Sequence, residues 1–230
     1  MATETKRALI IGASRGLGLG LARELASRGV EVTATARDLD KAPGLRDLPA
    51  GSRLETIDID DAASVDALAK RLQGQTFDVV FINAGITGPS HESADVATTE
   101  EIGKLFATNA VSPIRLARKL LGNIAPGGTL AFMSSVLGSI AENTTGSKEL
   151  YRASKTALNS LVKSLVLGLD AEKKLTVLSV HPGWVRTDMG GSNATLDVET
   201  SVRGIANQLE KNAGKGGLTF LDYEGRELPW

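Results

Sequence analysis

The stretch ELYRASKTAL, residues 149–158, sets Tyr151 and Lys155 four positions apart in a chain of 230 residues that has only two tyrosines. Four residues is close to one helical turn, so at the start of a helix the phenol and the ammonium share a face. An isolated pair of this kind is commonly a tyrosine packed beside a snorkelling lysine. The chemical alternative is a phenol whose pKa the nearby cation lowers, giving a proton donor and acceptor near neutral pH. A second cluster, Gly12, Gly16, Gly18 and Gly20, lies in LIIGASRGLGLGLAREL between an apolar run and an amphipathic one. Where a strand hands over to a helix, free N–H groups, the positive helix end and missing side chains favour a phosphate. The spacing Gly12-x-x-x-Gly16-x-Gly18 departs from the common G-x-G-x-x-G fingerprint.

Such residues work only if the fold gathers them. Short runs of Val, Ile and Leu alternate with longer amphipathic stretches, the pattern of repeated β-α units around a parallel sheet. The runs predict seven strands, near Ala8–Ile11, Val30–Ala36, Leu54–Ile57, Val79–Ile82, Thr129–Met133, Thr176–Val180 and Leu218–Leu221, all central or nearly so. Helices are expected over Leu17–Arg28, Ala62–Gln73, Glu100–Leu121, Tyr151–Leu169 and Val198–Asn212. Val65, Leu68, Ala69 and Leu72 form one narrow stripe, whereas the helices over 100–121 and 151–169 are apolar around much of their circumference. That breadth suggests a subunit interface, giving a homodimer or homotetramer, or else a thicker core.

With 42% hydrophobic and 23% charged residues, the chain suits one α/β domain spanning 1–230. A net charge of −1 gives no basic field to draw in nucleic acid or an anionic membrane. The absence of cysteine excludes disulfides, thiol nucleophiles and thiolate metal sites. The start MATETKRALIIG lacks the apolar run of a secretory signal and no segment suits a membrane span, so a cytoplasmic protein is expected. His91 and His181 lack metal-ligand spacing, and Asp58, Asp60 and Asp61 read as a turn and helix start, so no metal is expected.

The glycine spacing, NAG at Asn83, Ala84 and Gly85, TNA at 108–110, the pair Ser134 and Ser135, YRASK from Tyr151 to Lys155, and HPGWVRTDMG from His181 occur in this order along nearly the whole chain. The set resembles the short-chain dehydrogenase/reductase family, and the loop before Tyr151 with the ending FLDYEGRELPW resembles its Sniffer-like and C-factor-like carbonyl reductases. The resemblance implies a Rossmann-type, doubly wound seven-stranded parallel sheet with helices on both faces. It also implies that Tyr151 is the general acid/base for interconverting a small-molecule carbonyl and an alcohol. Lys155 would tune it and bond the nicotinamide ribose, the second serine, Ser135, would hold the carbonyl oxygen, and Asn109 would complete a proton relay. From the residues alone, Asn109 reads first as a helix kink or cap. A cofactor-sensing or signalling protein on the same fold is the alternative from another functional class.

For the cofactor, the resemblance assigns Gly12, Ser14, Arg15, Gly16, Leu17 and Gly18 to the phosphates, and Asp58 and Ile59 to the adenine. Asn83, Ala84 and Gly85 line the cleft, and Pro182, Gly183, Val185 and Thr187 meet the nicotinamide. The second strand ends in Ala36 and Arg37 where an acidic residue would select a 2'-hydroxyl, so Arg37, with Arg15, favours NADP(H) over NAD(H). Asp38 could pair with Arg37 or begin a turn. The loop before Tyr151 is about three residues longer than is usual in the family, a length that AENTTGSKE can absorb. Ile11 and Ile82 stand where the family commonly has Thr and Asn. MGGSNATL, 189–196, suits a short substrate lid or a disordered surface loop.

Overall fold

A computed structural model describes residues 6–230. Strands β1 (Arg7–Ile11), β2 (Glu31–Ala36), β3 (Arg53–Thr56), β4 (Phe77–Ile82), β5 (Ile124–Met133), β6 (Thr176–His181) and β7 (Gly217–Asp222) form one parallel sheet in the order β3-β2-β1-β4-β5-β6-β7. The chain winds outward from β1 in one direction and from β4 in the other. The carboxyl ends of both strands therefore flank a crevice at the switch point, where α/β sheets bind ligands. Two of the seven strands expected to be central are edges: β7, and β3, whose four residues are exposed or only half-buried.

Both faces of the sheet are covered, so the strands read as nearly continuous apolar runs. Leu9, Ile11, Val80, Ile82, Leu130, Phe132 and Val177 face one layer, which contains α2 (Ala62–Arg71), α4 (Ser112–Leu120) and α5 (Glu149–Leu167). Ala8, Ile10, Val32, Ala34, Phe81, Ala131 and Val180 face the other, with α1 (Gly16–Ser27) and α6 (Val198–Asn212). Ile11 and Ile82, the two departures from the family pattern, are buried in the first of these layers.

The stretch expected as one helix over 100–121 is broken. Helix α3 (Thr99–Phe106) starts in a capping box between Thr98 and Glu101. A π-turn over Ala107–Val111 then carries Asn109, and α4 follows. Much of the apolar breadth belongs to the core: Ile114, Ala117 and Leu120 of α4 and Leu158, Val162 and Leu165 of α5 are buried within the monomer. No helix among the described residues is long and apolar enough to cross a membrane.

Helices α1 and α6 cross at Gly20, where a Cβ would lie 2.5 Å from Val198 Cγ1 and 3.2 Å from Val202 Cγ1. Alanine favours a helix by up to about 1 kcal/mol over glycine. Here it meets valines that are stiff at χ1, and overpacking costs about 1–3 kcal/mol. The clash should win, so Gly20→Ala lowers the unfolding free energy in a urea titration by about 1 kcal/mol. Adding Val198→Ala, which vacates the clashing methyl, restores part of that loss in the same titration.

Candidate active site

The glycine loop leaves β1 by a backbone that glycine alone adopts freely. Gly12 has φ +83°, its N–H donates to the Thr35 hydroxyl at 3.0 Å, and its carbonyl accepts from Asn83 Nδ2 at 2.7 Å. A Cβ at Gly18 would lie 2.1 Å from the Gly12 carbonyl oxygen. Arg15, in the extended N-cap position of α1, makes no capping bond, so the first-turn N–H groups stay available to a ligand. These features fit a pyrophosphate. Thr35, which no motif in the sequence marks, is the side chain that braces Gly12 from the neighbouring strand.

At the end of β2, Asp38 turns back to Lys41 at 3.2 Å and accepts the Asp40 N–H at 3.0 Å. It therefore begins a turn and leaves Arg37 exposed, with no ion pair among the described residues. Arg15 instead bonds Asp188, 2.8 Å away, and both side chains are largely exposed. After β3, Asp61 caps α2 by accepting from Ala63 and Ser64 N–H, while Asp58 accepts the Asp60 N–H at 3.0 Å and Ile59 is buried.

The stretch from Trp184 to Leu196 is ordered by its own hydrogen bonds. Arg186 N–H donates to the Leu196 carbonyl, its guanidinium to those of Ala194 and Thr195, and the Trp184 indole to that of Gly190. It forms a strap, not a disordered loop. A Cβ on Gly16 would lie 3.5 Å from Thr187 Cγ2, so the strap stands directly over the glycine loop. Gly183, just before it, has φ +82°, and a Cβ there would strike Leu196 at 2.4 Å.

Tyr151 lies in the first turn of α5, and Lys155 Nζ sits 5.7 Å from its ring centroid. Lys155 is 3% exposed and donates to the Met133 carbonyl at 2.9 Å. The two adjacent serines separate cleanly. Ser134 donates to Asn159 Oδ1 at 2.8 Å inside the core, whereas Ser135 Oγ accepts from Leu137 N–H, leaving its own proton for another acceptor. Asn109 is fully buried: its Oδ1 accepts the Ile86 N–H, and its Nδ2 donates to the Ile86 carbonyl and to Ser154 Oγ, which bonds the Tyr151 carbonyl. Ser154, inside YRASK, carries this link and had not been singled out in the sequence. Gly85 closes the group, since a Cβ there would be 3.3 Å from Asn109 Oδ1 and 3.5 Å from Lys155 Nζ.

The longer loop before α5 is organised around Arg152, whose Nε donates to the Ser147 carbonyl at 2.7 Å. Lys148 pairs with Glu92 at 2.6 Å, and Glu149 accepts the Ala94 N–H, so this loop is fastened to the one after β4.

Burial sets the titration here. It pushes the Tyr151 phenol up to about 12 and the Lys155 ammonium down to about 8. The lowering of the phenol expected from Lys155 does not emerge: burial is what moves it, and moves it up. A protonated phenol beside an ammonium is an arrangement that can donate a proton near neutral pH.

The family model for short chain dehydrogenases matches residues 6–196, and the chain belongs to that family. The chain is 39% identical to a C-signal protein of Myxococcus xanthus over 155 residues, 66% of this chain and 92% of that protein. A carbonyl reductase from Pseudomonas aeruginosa PAO1, solved in complex with NADP, superposes with TM-score 0.92 at 40% identity, covering 99% of this chain and 100% of that one. The carbonyl reductase Sniffer of D. melanogaster gives TM-score 0.87 at 34% identity, with coverage of 99% and 100%.

The two shifted groups give stability a defined pH dependence. Between about pH 8 and 10.5 the unfolded chain keeps the lysine proton that folded Lys155 has lost, so this contribution rises with pH. From about pH 10 to 12 folded Tyr151 keeps a proton that the unfolded chain has lost, so its contribution falls. Wild type should therefore gain stability over Lys155→Met, by a few kcal/mol at most, as pH rises from about 7.5 to about 9.5. Thermal unfolding of both proteins across that range checks it.

Proposed function

We propose that this chain is an NADPH-dependent reductase of small carbonyl compounds, with Tyr151 as the general acid. The observation that carries the reading is the neutral, half-buried phenol of Tyr151 one turn from buried Lys155, at the sheet edge that holds the glycine loop. Bound in the cleft, a nicotinamide dinucleotide supplies hydride. Ser135 orients the substrate oxygen with its free hydroxyl proton, and Tyr151 O–H donates its proton as negative charge grows there. Lys155 holds positive charge beside the phenol and stabilises the phenolate that donation leaves behind. A replacement proton reaches Lys155 through water held near Asn109, whose own N–H groups are committed to Ile86 and Ser154. A phenol pushed up to about 12 is in the form that can donate a proton near neutral pH.

Arg37 and Arg15 select the 2'-phosphate, in keeping with the NADP bound in the Pseudomonas relative. Asp58 and Ile59 meet the adenine, and Pro182, Gly183, Val185 and Thr187 the nicotinamide. The protein works in the cytoplasm as a homodimer or homotetramer through 100–121 and 151–169, with exposed Leu167 of α5 at the contact. The other reading, a cofactor-binding signalling protein with vestigial turnover, draws on the likeness to the C-signal protein but is not favoured over a reductase.

NADPH oxidation measured against a panel of aldehydes and ketones decides between them. Turnover that falls by about 100-fold or more in Tyr151→Phe, with NADPH affinity held within about threefold, supports the reductase. Cofactor binding without turnover on any carbonyl favours the signalling protein. Arg37→Ala should weaken NADPH binding about tenfold and leave NADH binding nearly unchanged, because a charge-assisted bond to the 2'-phosphate is lost. Fluorescence titration with both cofactors reads this.

A further inference from the structure

The carboxylate of Asp60 has no part in the cofactor cleft as described, yet its side chain is only 19% exposed and is heavily bonded. It accepts from Lys104 Nζ at 2.7 Å and from Thr108 Oγ1 at 2.6 Å. Burial opposes its charge, but these donors outweigh that and hold its pKa below the usual carboxylate value. Lys104 and Thr108 are four apart and lie before and inside the π-turn over Ala107–Val111. One carboxylate from the β3–α2 turn thus ties the end of α3 to the irregular turn.

A π-turn inserts an extra residue and is seldom stable without outside support. Asn109 stands in its middle and reaches Ile86, Ser154 and, through Ser154, the Tyr151 carbonyl. On the other side, the Asp60 N–H donates to Asp58 at the adenine edge. We propose that Asp60 is a positioning residue: it fixes the π-turn through Thr108 and so sets the place of Asn109, joining the adenine edge of the cleft to the proton path. The proposal rests on the reading of Asn109 given above.

Asp60→Asn removes the charge, Thr108→Val removes the donor and Thr108→Ser keeps it. Asp61 remains to cap α2, so the fold of that helix is not at stake. Asp60→Asn and Thr108→Val should each lower kcat about tenfold, with carbonyl KM and NADPH affinity changed less than about threefold. Both should displace the basic limb of the pH–rate profile. The double variant should be no worse than Asp60→Asn, and Thr108→Ser should stay within about twofold of wild type. Hydrogen exchange at the Ile86 amide should quicken about tenfold in Asp60→Asn. Unchanged exchange at Ile86, or a lowered melting temperature with kcat and pH profile intact, overturns the proposal. Should the wild type reduce no carbonyl, faster exchange at Ile86 still supports the positioning role and only the reductase reading falls.

Discussion

A lysine ammonium taken almost wholly out of water, and answered by a main-chain carbonyl where a carboxylate would be usual, is the constraint on which the functional edge depends. Its stem runs beneath the first turn of α5, its nitrogen reaches the end of β5, and Gly85 leaves the room it occupies. A Cβ at position 85 would sit tightly against Asn109 Oδ1 and touch that nitrogen. The same burial that strains Lys155 toward neutrality also holds the Tyr151 phenol protonated. The two groups are set against each other by dielectric before any ligand is considered.

The parallel sheet makes this possible because every strand ends at the same edge. A glycine loop after β1, a turn after β3, the Asn83–Gly85 corner after β4, the serine pair after β5 and the strap after β6 converge although up to 175 residues separate Gly12 from Thr187. The sheet is held by two apolar layers, so the edge needs few interactions of its own and can carry a buried cation and a π-turn. Membership of the short chain dehydrogenase family fits that architecture. Fold alone does not fix use, and the chemical reading comes from the side chains at the edge.

The strap and the longer loop before α5 show how the rim is tied without a core. Arg186 gathers the carbonyls of Ala194 and Thr195, and Arg152 takes that of Ser147, so each loop is stiffened by a guanidinium bonding main-chain oxygens. Arg15 and Asp188 join the strap to the glycine loop across the cleft mouth. Exposed ion pairs of this kind contribute little stability, so the join can open for a ligand.

The alternation of apolar and amphipathic runs was enough to place seven strands and the helices between them, because burial on both faces of a parallel sheet writes itself into local composition. The glycine loop and the Tyr151–Lys155 spacing were legible for the same reason: positive φ, a missing Cβ and one helical turn are properties of neighbours in sequence. Other features depend on residues far away. The break that carries Asn109 is bonded at Thr108 by Asp60, 48 positions earlier. The separate fates of Ser134 and Ser135 are decided by Asn159. Asp38 chooses Lys41 over Arg37 through turn geometry. Above all, the phenol rises where pairing with a cation alone would lower it, because desolvation sums over every element packed around the side chain, and only the folded chain assembles that sum.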